Sequence, residues 1–320
     1  MIDLFKSITD CSKRVIILIG PARSGKTSAA MELYHQQLDS IGKSSCLMIL
    51  PNLAAVNYMR QKLLEQSTTG SIVSPTITTF SSLAGSILSS EGLTPTTLNK
   101  VERWLILERI VADLHAERQL QAIAPLVGST GLTNVLDTAI AELKRAAVEP
   151  DLLENTIDKS SSCNTDLLKI YQRYQSYLHQ INAVDVEGKM WLARDILANT
   201  PSASIGYENI STIVVDGFTD FTPTQLEILK YLSNKVDKTL ITLPLDLNDN
   251  RERLWFWTKR TLKRIEETIP DTQVISTRAR KNAPFSTLFD LSSLPKDKET
   301  NIRDTQTTHH DNNFSITFIE

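Results

Sequence analysis

Three cysteines in 320 residues, Cys11, Cys46 and Cys163, lie far apart and form no C-x-x-C pair. That scarcity argues against a zinc or iron–sulfur centre and fits a reducing compartment, with the thiols serving as small buried apolar groups. No stretch approaches the ~20 apolar residues that span a membrane, and the amino terminus has no long apolar segment followed by a cleavage site. A soluble, cytoplasmic chain without membrane contact is the expectation. An excess of one charge is missing too: 34 Lys and Arg stand against 37 Asp and Glu, a formal net charge of -3. Any basic track for nucleic acid would therefore have to be local. No internal repeat is visible. What is present is 41% hydrophobic residues, enough for real cores. The chain also exceeds the roughly 250–300 residues at which one core stops growing, so two lobes are expected.

One dense motif stands out. Gly20-Pro21-Ala22-Arg23-Ser24-Gly25-Lys26-Thr27 fits G-x-x-x-x-G-K-[ST]; the apolar run Val15 to Ile19 precedes it and the helix-forming Ser28 to Leu33 follows. Strand, tight turn and helix in this order point a helix amino terminus at an anion. Gly20 and Gly25 allow backbone conformations in which several N–H groups converge on one phosphate. Lys26 adds a mobile cation for the outer phosphates, and the Thr27 hydroxyl suits a magnesium ion that touches them. Residues Gly20, Pro21, Ala22, Arg23, Ser24, Gly25, Lys26, Thr27 and Ser28 are thus the candidate cofactor-binding set, with ATP and Mg²⁺ implied. The plainer reading is a glycine turn beside a surface lysine.

Strand and helix patterns alternate around this motif. Cys46 to Leu50 forms an apolar strand ending at Pro51, and Ala54, Val56, Met59, Leu63 and Leu64 recur at helical spacing. Val73 to Phe80 has β-branched character, and Ser81 to Leu88 is helical. From about Thr97 to Thr200 only long helical patterns occur. Strands resume at Ser211 to Val215 and Thr239 to Leu243; Pro223 opens a helix between them, and residues 251–269 form another. Beyond Ser276 a polar, charged linker is expected, then a strand over Phe314 to Ile319 leading to a following domain. The fold class is α/β: a P-loop NTPase (RecA-like) parallel sheet flanked by helices over 1–96 and 205–276, a large all-helical insertion over 97–204, and a linker over 277–320.

A phosphate loop of this kind needs a carboxylate at the end of a later strand to hold the metal. Asp216, at the end of Ile213-Val214-Val215, supplies it, or else simply caps the next helix. Gly217 follows, where a water-activating glutamate would sit. A general base contributes roughly 10²- to 10⁴-fold to rate, so its loss leaves binding while slowing hydrolysis. Asp220 is the one weak substitute.

With both halves in hand, the segment order resembles the first motor domain of UvrD-like superfamily 1 helicases. It resembles more closely the amino-terminal region of the B subunit of AddAB-type helicase-nucleases, called RexB in some bacteria. The residues that carry this are the Gly20 to Thr27 motif, Leu50-Pro51-Asn52, Ile77-Thr78-Thr79-Phe80-Ser81-Ser82-Leu83-Ala84, Glu142-Leu143-Lys144-Arg145 leading to Pro150, Ile170 to Tyr174 leading to Val184-Asp185, and Val215 to Leu226. Gly217 and Thr219 stand where motor subunits carry glutamate and glutamine, and Pro244-Leu245-Asp246 replaces a G-D-x-x-Q element. The resemblance implies a DNA-handling scaffold of bacterial double-strand-break repair, partnered by DNA and by the motor and nuclease A subunit of such a complex, with weak or no hydrolysis of its own. It also implies a nuclease centre outside this chain. Thr79 and Phe80 resemble positions that approach DNA in the family, although Phe80 at a strand end suits burial equally well; Lys144 and Arg145 are candidate phosphate contacts or else a solvated helix end.

Tyr171, Tyr174 and Tyr177 beside Arg173 could stack bases, but their spacing first suggests a buried helix face. Trp104, Trp191, Trp255 and Trp257 are expected to pack, and His309 and His310 lack a metal partner. Two other functions fit the motif: a working ATP-driven translocase, and a P-loop small-molecule kinase.

Overall fold

In a computed structural model of the chain, residues 2–38, 44–66, 75–200, 204–247 and 252–277 are described. The expected linker, the strand at Phe314 to Ile319, and His309 and His310 lie outside these residues. After α1 (Ile2–Thr9) come β1 (Val15–Gly20), α2 (Lys26–Gln36), β2 (Cys46–Ile49), α3 (Leu53–Gln66), β3 (Ile77–Thr78) and α4 (Phe80–Ser90). The second half of the sheet layer supplies β6 (Thr212–Val215), α10 (Pro223–Ser233), β7 (Lys238–Pro244), α11 (Glu252–Thr268) and β8 (Thr272–Ser276). Between them lie β4 (Thr96–Thr97), α5 (Lys100–Ala116), α6 (Thr130–Arg145), α7 (Pro150–Thr156), α8 (Ser162–Gln180), β5 (Ala183–Val184) and α9 (Val186–Asn199).

Six strands form one parallel sheet in the order β3-β2-β6-β7-β1-β8. In β1, β2 and β6 the apolar runs are continuous rather than alternating because both faces are covered. Val15, Ile17 and Ile19 of β1 face one core together with Ile213 and Val215, while Ile16 and Leu18 face the other with Val214. Residues of α4, α9, α10 and α11 complete the first core, and those of α2 and α3 the second. Helix α10 starts as its sequence dictates. Pro223 occupies its first turn, and Thr222 and Gln225 close a reciprocal capping box.

The helices α5 to α8 bury a separate apolar cluster, running from Leu98 to Ala183. The stretch from 97 to 204 is not all helical: Thr96 and Thr97 pair in parallel with Ala183 and Val184 where the chain enters and leaves this unit. Helix α9, expected within the insertion, instead sends Met190, Ala193 and Leu197 into the sheet's own core. Tyr171 and Tyr174 are fully buried, as a helix face would be.

Burial raises the Tyr34 phenol above the ordinary value of ~10 and pushes those of Tyr171 and Tyr174 well above it. A raised folded value leaves this contribution to stability intact below pH ~10 and removes it as the pH climbs further, since the unfolded phenols ionise first. In an alkaline titration, tyrosinate from these three should form only with loss of circular dichroism. Ionisation of all seven tyrosines while the fold persists would contradict the burial.

Candidate functional site

Parallel pairing brings the carboxyl ends of β1, β6 and β7 to one edge of the sheet, the edge at which open α/β sheets bind ligands. At the end of β1, Gly20 has no room for a side chain. A Cβ there would come within 2.1 Å of Thr277 Oγ1 and 2.7 Å of Ser24 Oγ. Thr277, just past β8, donates its N–H and its hydroxyl to the Ile19 carbonyl and so seals the base of the turn. Gly25 takes φ 93°, a left-handed conformation that glycine adopts without strain, and caps α2 with no side-chain bond to the first amides. Those amides are left to face an anion.

Arg23, Ser24, Gly25, Lys26, Thr27 and Ser28 line a concavity of about 190 Å³. Ala22 is exposed at the tip of the turn. Lys26 Nζ donates to the carbonyls of Gly20 and Pro21, both at 2.7 Å, and to Ser24 Oγ at 3.3 Å. Burial holds its ammonium below the usual lysine range, and Asp216 opposes that shift. Thr27 Oγ1 lies 3.4 Å from Asp216 Oδ1, a contact between residues 189 positions apart. Asp216 is buried and also accepts from the Thr242 hydroxyl on β7, the strand between β1 and β6. Thr242 and Thr277 were not singled out by the sequence. The only hint is a hydroxyl inside, or just beyond, an otherwise apolar strand.

Gly217 has φ 85°, and a Cβ there would meet Pro51 at an ordinary 3.4 Å. Space for a side chain therefore exists, but the backbone favours glycine. Gly217→Ala should destabilise the fold by about 1–2 kcal/mol, read from urea unfolding, because an L side chain in the left-handed region is strained by that amount. No loss would show that the loop relaxes freely. Asp220 corrects the expectation of a substitute base: its carboxylate is held by the Phe221 N–H, by Thr261 Oγ1 at 3.0 Å and by Arg264 Nη1 at 3.2 Å. These bonds tie it to α11, and it is not among the residues lining the concavity.

The candidate DNA contacts fare differently. Thr79 is buried, and its side chain caps α4 by accepting from the Ser82 N–H. Phe80 is 4% exposed and packs edge to face on Phe218 and Phe221, so it offers no face to a base. Lys144 is withdrawn as well. Its side chain is 1% exposed and pairs with Asp185 at 2.7 Å, so it cannot reach a phosphate. Arg145 is half exposed but pairs with Glu187 at 3.2 Å.

A six-stranded parallel sheet flanked by helices, with a glycine- and lysine-bearing turn after one strand and a buried aspartate ending another, defines the class: an α/β protein whose candidate site lies at the carboxyl edge of its sheet. Comparison with known proteins gives the family. The profile described as "ADDB, N-terminal" matches residues 17–292, and the chain belongs to this family. Among similar curated proteins is the B subunit of an ATP-dependent helicase/deoxyribonuclease from Alkaliphilus metalliredigens, 24% identical over 258 residues, 78% of this chain and 22% of that protein. Proteins of the same description from Listeria innocua and Clostridioides difficile are 26% and 23% identical, each over 72% of this chain and 20% of their own length. The chain thus spans about a fifth of these relatives. No helix among the described residues is long and apolar enough to cross a membrane.

Proposed function

We infer that this chain is the ATP-binding, DNA-handling amino-terminal part of a B-type subunit in a bacterial helicase-nuclease for double-strand-break repair. Its partners are DNA and a motor subunit, its location is the cytoplasm, and its own hydrolysis is weak or nil. The observation that carries the reading is the meeting of Thr27 and Asp216 at 3.4 Å beside Lys26, with Gly217 next to Asp216. It supports a P-loop NTPase fold in which phosphates are held and no carboxylate at position 217 polarises water.

Each residue has a stated part. The amides after Gly25 and the Lys26 ammonium take the outer phosphates, which as anions attract the ammonium more strongly than the Gly20 and Pro21 carbonyls do. The Thr27 hydroxyl and the Asp216 carboxylate fit a magnesium ion, which takes few protein oxygens beside phosphate and water. Bound there, the ion would neutralise phosphate charge. A concavity of about 190 Å³ is smaller than the roughly 300–1,000 Å³ of sites that enclose a whole ligand, so the base rests outside it.

ATP binding and hydrolysis measured side by side, with and without single-stranded DNA, test the reading. Expected is binding with turnover no faster than that of Lys26→Ala. DNA-stimulated turnover that Lys26→Ala abolishes would instead make the chain a working translocase. Comparing Gly217→Glu with Gly217→Ala separates the carboxylate's effect from the backbone strain that both variants share.

A further inference from the structure

Trp257 does not pack. It is 64% exposed, and Phe256 beside it is 56% exposed. Their rings meet edge to face at 5.3 Å, and the Arg260 guanidinium lies 5.8 Å over the Trp257 ring. At 100° per residue, Arg253, Phe256, Trp257, Arg260, Lys263 and Arg264 stand at i, i+3, i+4, i+7, i+10 and i+11, one face of α11. From Glu252 to Arg264 five cations (Arg253, Lys259, Arg260, Lys263, Arg264) oppose the single carboxylate of Glu252, a local charge of +4 on a chain of net -3. Among the described residues, Lys263 pairs with Glu267 at 3.6 Å and Arg264 with Asp220 at 3.2 Å.

The helix leaves the carboxyl end of β7 and runs back to the start of β8, so its first turns stand toward the sheet edge that carries Lys26 and Asp216. Thr261 Oγ1 lies within hydrogen-bond distance of both Asp220 Oδ1 and the Trp257 carbonyl. The loop that begins at Asp216 is thereby tied to the turn that presents the tryptophan.

We propose that this face of α11 is a platform for single-stranded nucleic acid, with Trp257 and Phe256 stacking on bases and Arg253, Arg260 and Lys263 contacting the backbone. Aromatic rings interleaved with cations on one exposed face match a polymer that alternates flat bases with phosphates. The core of a protein–protein interface is depleted of charge, which this face is not. The proposal rests on the DNA-handling reading above and adds the surface that serves it.

The test is anisotropy of a labelled oligothymidine titrated with the chain at several salt concentrations, with ATP binding followed in parallel. Trp257→Ala should weaken strand binding roughly 5- to 150-fold and Trp257→Tyr should restore most of it, with ATP affinity and circular dichroism unchanged. Reversing Arg253, Arg260 and Lys263 to glutamate should flatten the salt dependence by about 0.7 in log–log slope for each phosphate no longer neutralised. If the wild-type chain binds oligothymidine and these variants bind it equally well, the strand lies elsewhere and the platform is overturned while the DNA-handling reading stands. Failure of the wild type to bind at low salt overturns both.

Discussion

Replacing Lys144 by alanine should lower the unfolding free energy by about 3–5 kcal/mol, the usual result of stripping one partner from a buried ion pair. Total stabilities of roughly 5–15 kcal/mol make that a large fraction of the fold. The ammonium and the Asp185 carboxylate are 1% and 3% exposed. Gln175 accepts from Lys144 at 2.8 Å, and Tyr174 and the Gly188 amide donate to Asp185. The Lys144 carbonyl receives the Trp191 indole N–H, and its ammonium lies 5.1 Å over the Trp191 ring. Burial nevertheless keeps the Lys144 ammonium below the usual lysine range, so desolvation outweighs what Asp185 returns. The pair is therefore weak as a source of stability and costly to break. Lys144→Met combined with Asp185→Asn should recover most of the loss, because neither variant side chain is charged. A loss under ~1 kcal/mol in urea unfolding of Lys144→Ala would mean that water reaches the pair.

The second large effect is on ligand affinity. Lys26→Ala should weaken ATP binding roughly 10- to 150-fold by calorimetry, the range for losing a charged hydrogen-bond donor worth about 1.5–3 kcal/mol. Stability should fall less than for Lys144→Ala, since the Lys26 bonds are only partly buried and border an open concavity where water can replace the ammonium. Unchanged affinity would place the phosphates elsewhere and remove the basis for a nucleotide site.

What the sequence revealed depended on whether the cause was local. The turn from Gly20 to Thr27 was legible because eight consecutive residues carry it, and β1, β2, β6 and β7 because strands buried on both faces are mostly apolar. Strand β8 was missed. It is a half-exposed edge strand, and five residues of mixed polarity give no period to detect. The allegiance of α9 was hidden because an apolar stripe says that a helix packs but not against what. Thr242 and Thr277 gain their roles across strands remote in sequence, and no spacing rule reaches that far. Phe80, open to either reading, and Trp257, expected to pack, share a related reason: aromatic type alone does not report burial, and only the partners Phe218 and Phe221, present for one and absent for the other, decide it.

The short pairing of β4 with β5 makes the helical unit a graft on its host. Its two stems run side by side, Thr96 against Ala183 and Thr97 against Val184, about 4.8 Å apart; because they run parallel, a crossover of roughly a dozen residues, not a tight turn, could bridge them with the six-stranded sheet left in place. Excision has one condition. Asp185 and Trp191 stay behind on the stump, and each would need a new companion or an apolar replacement once Lys144 is gone.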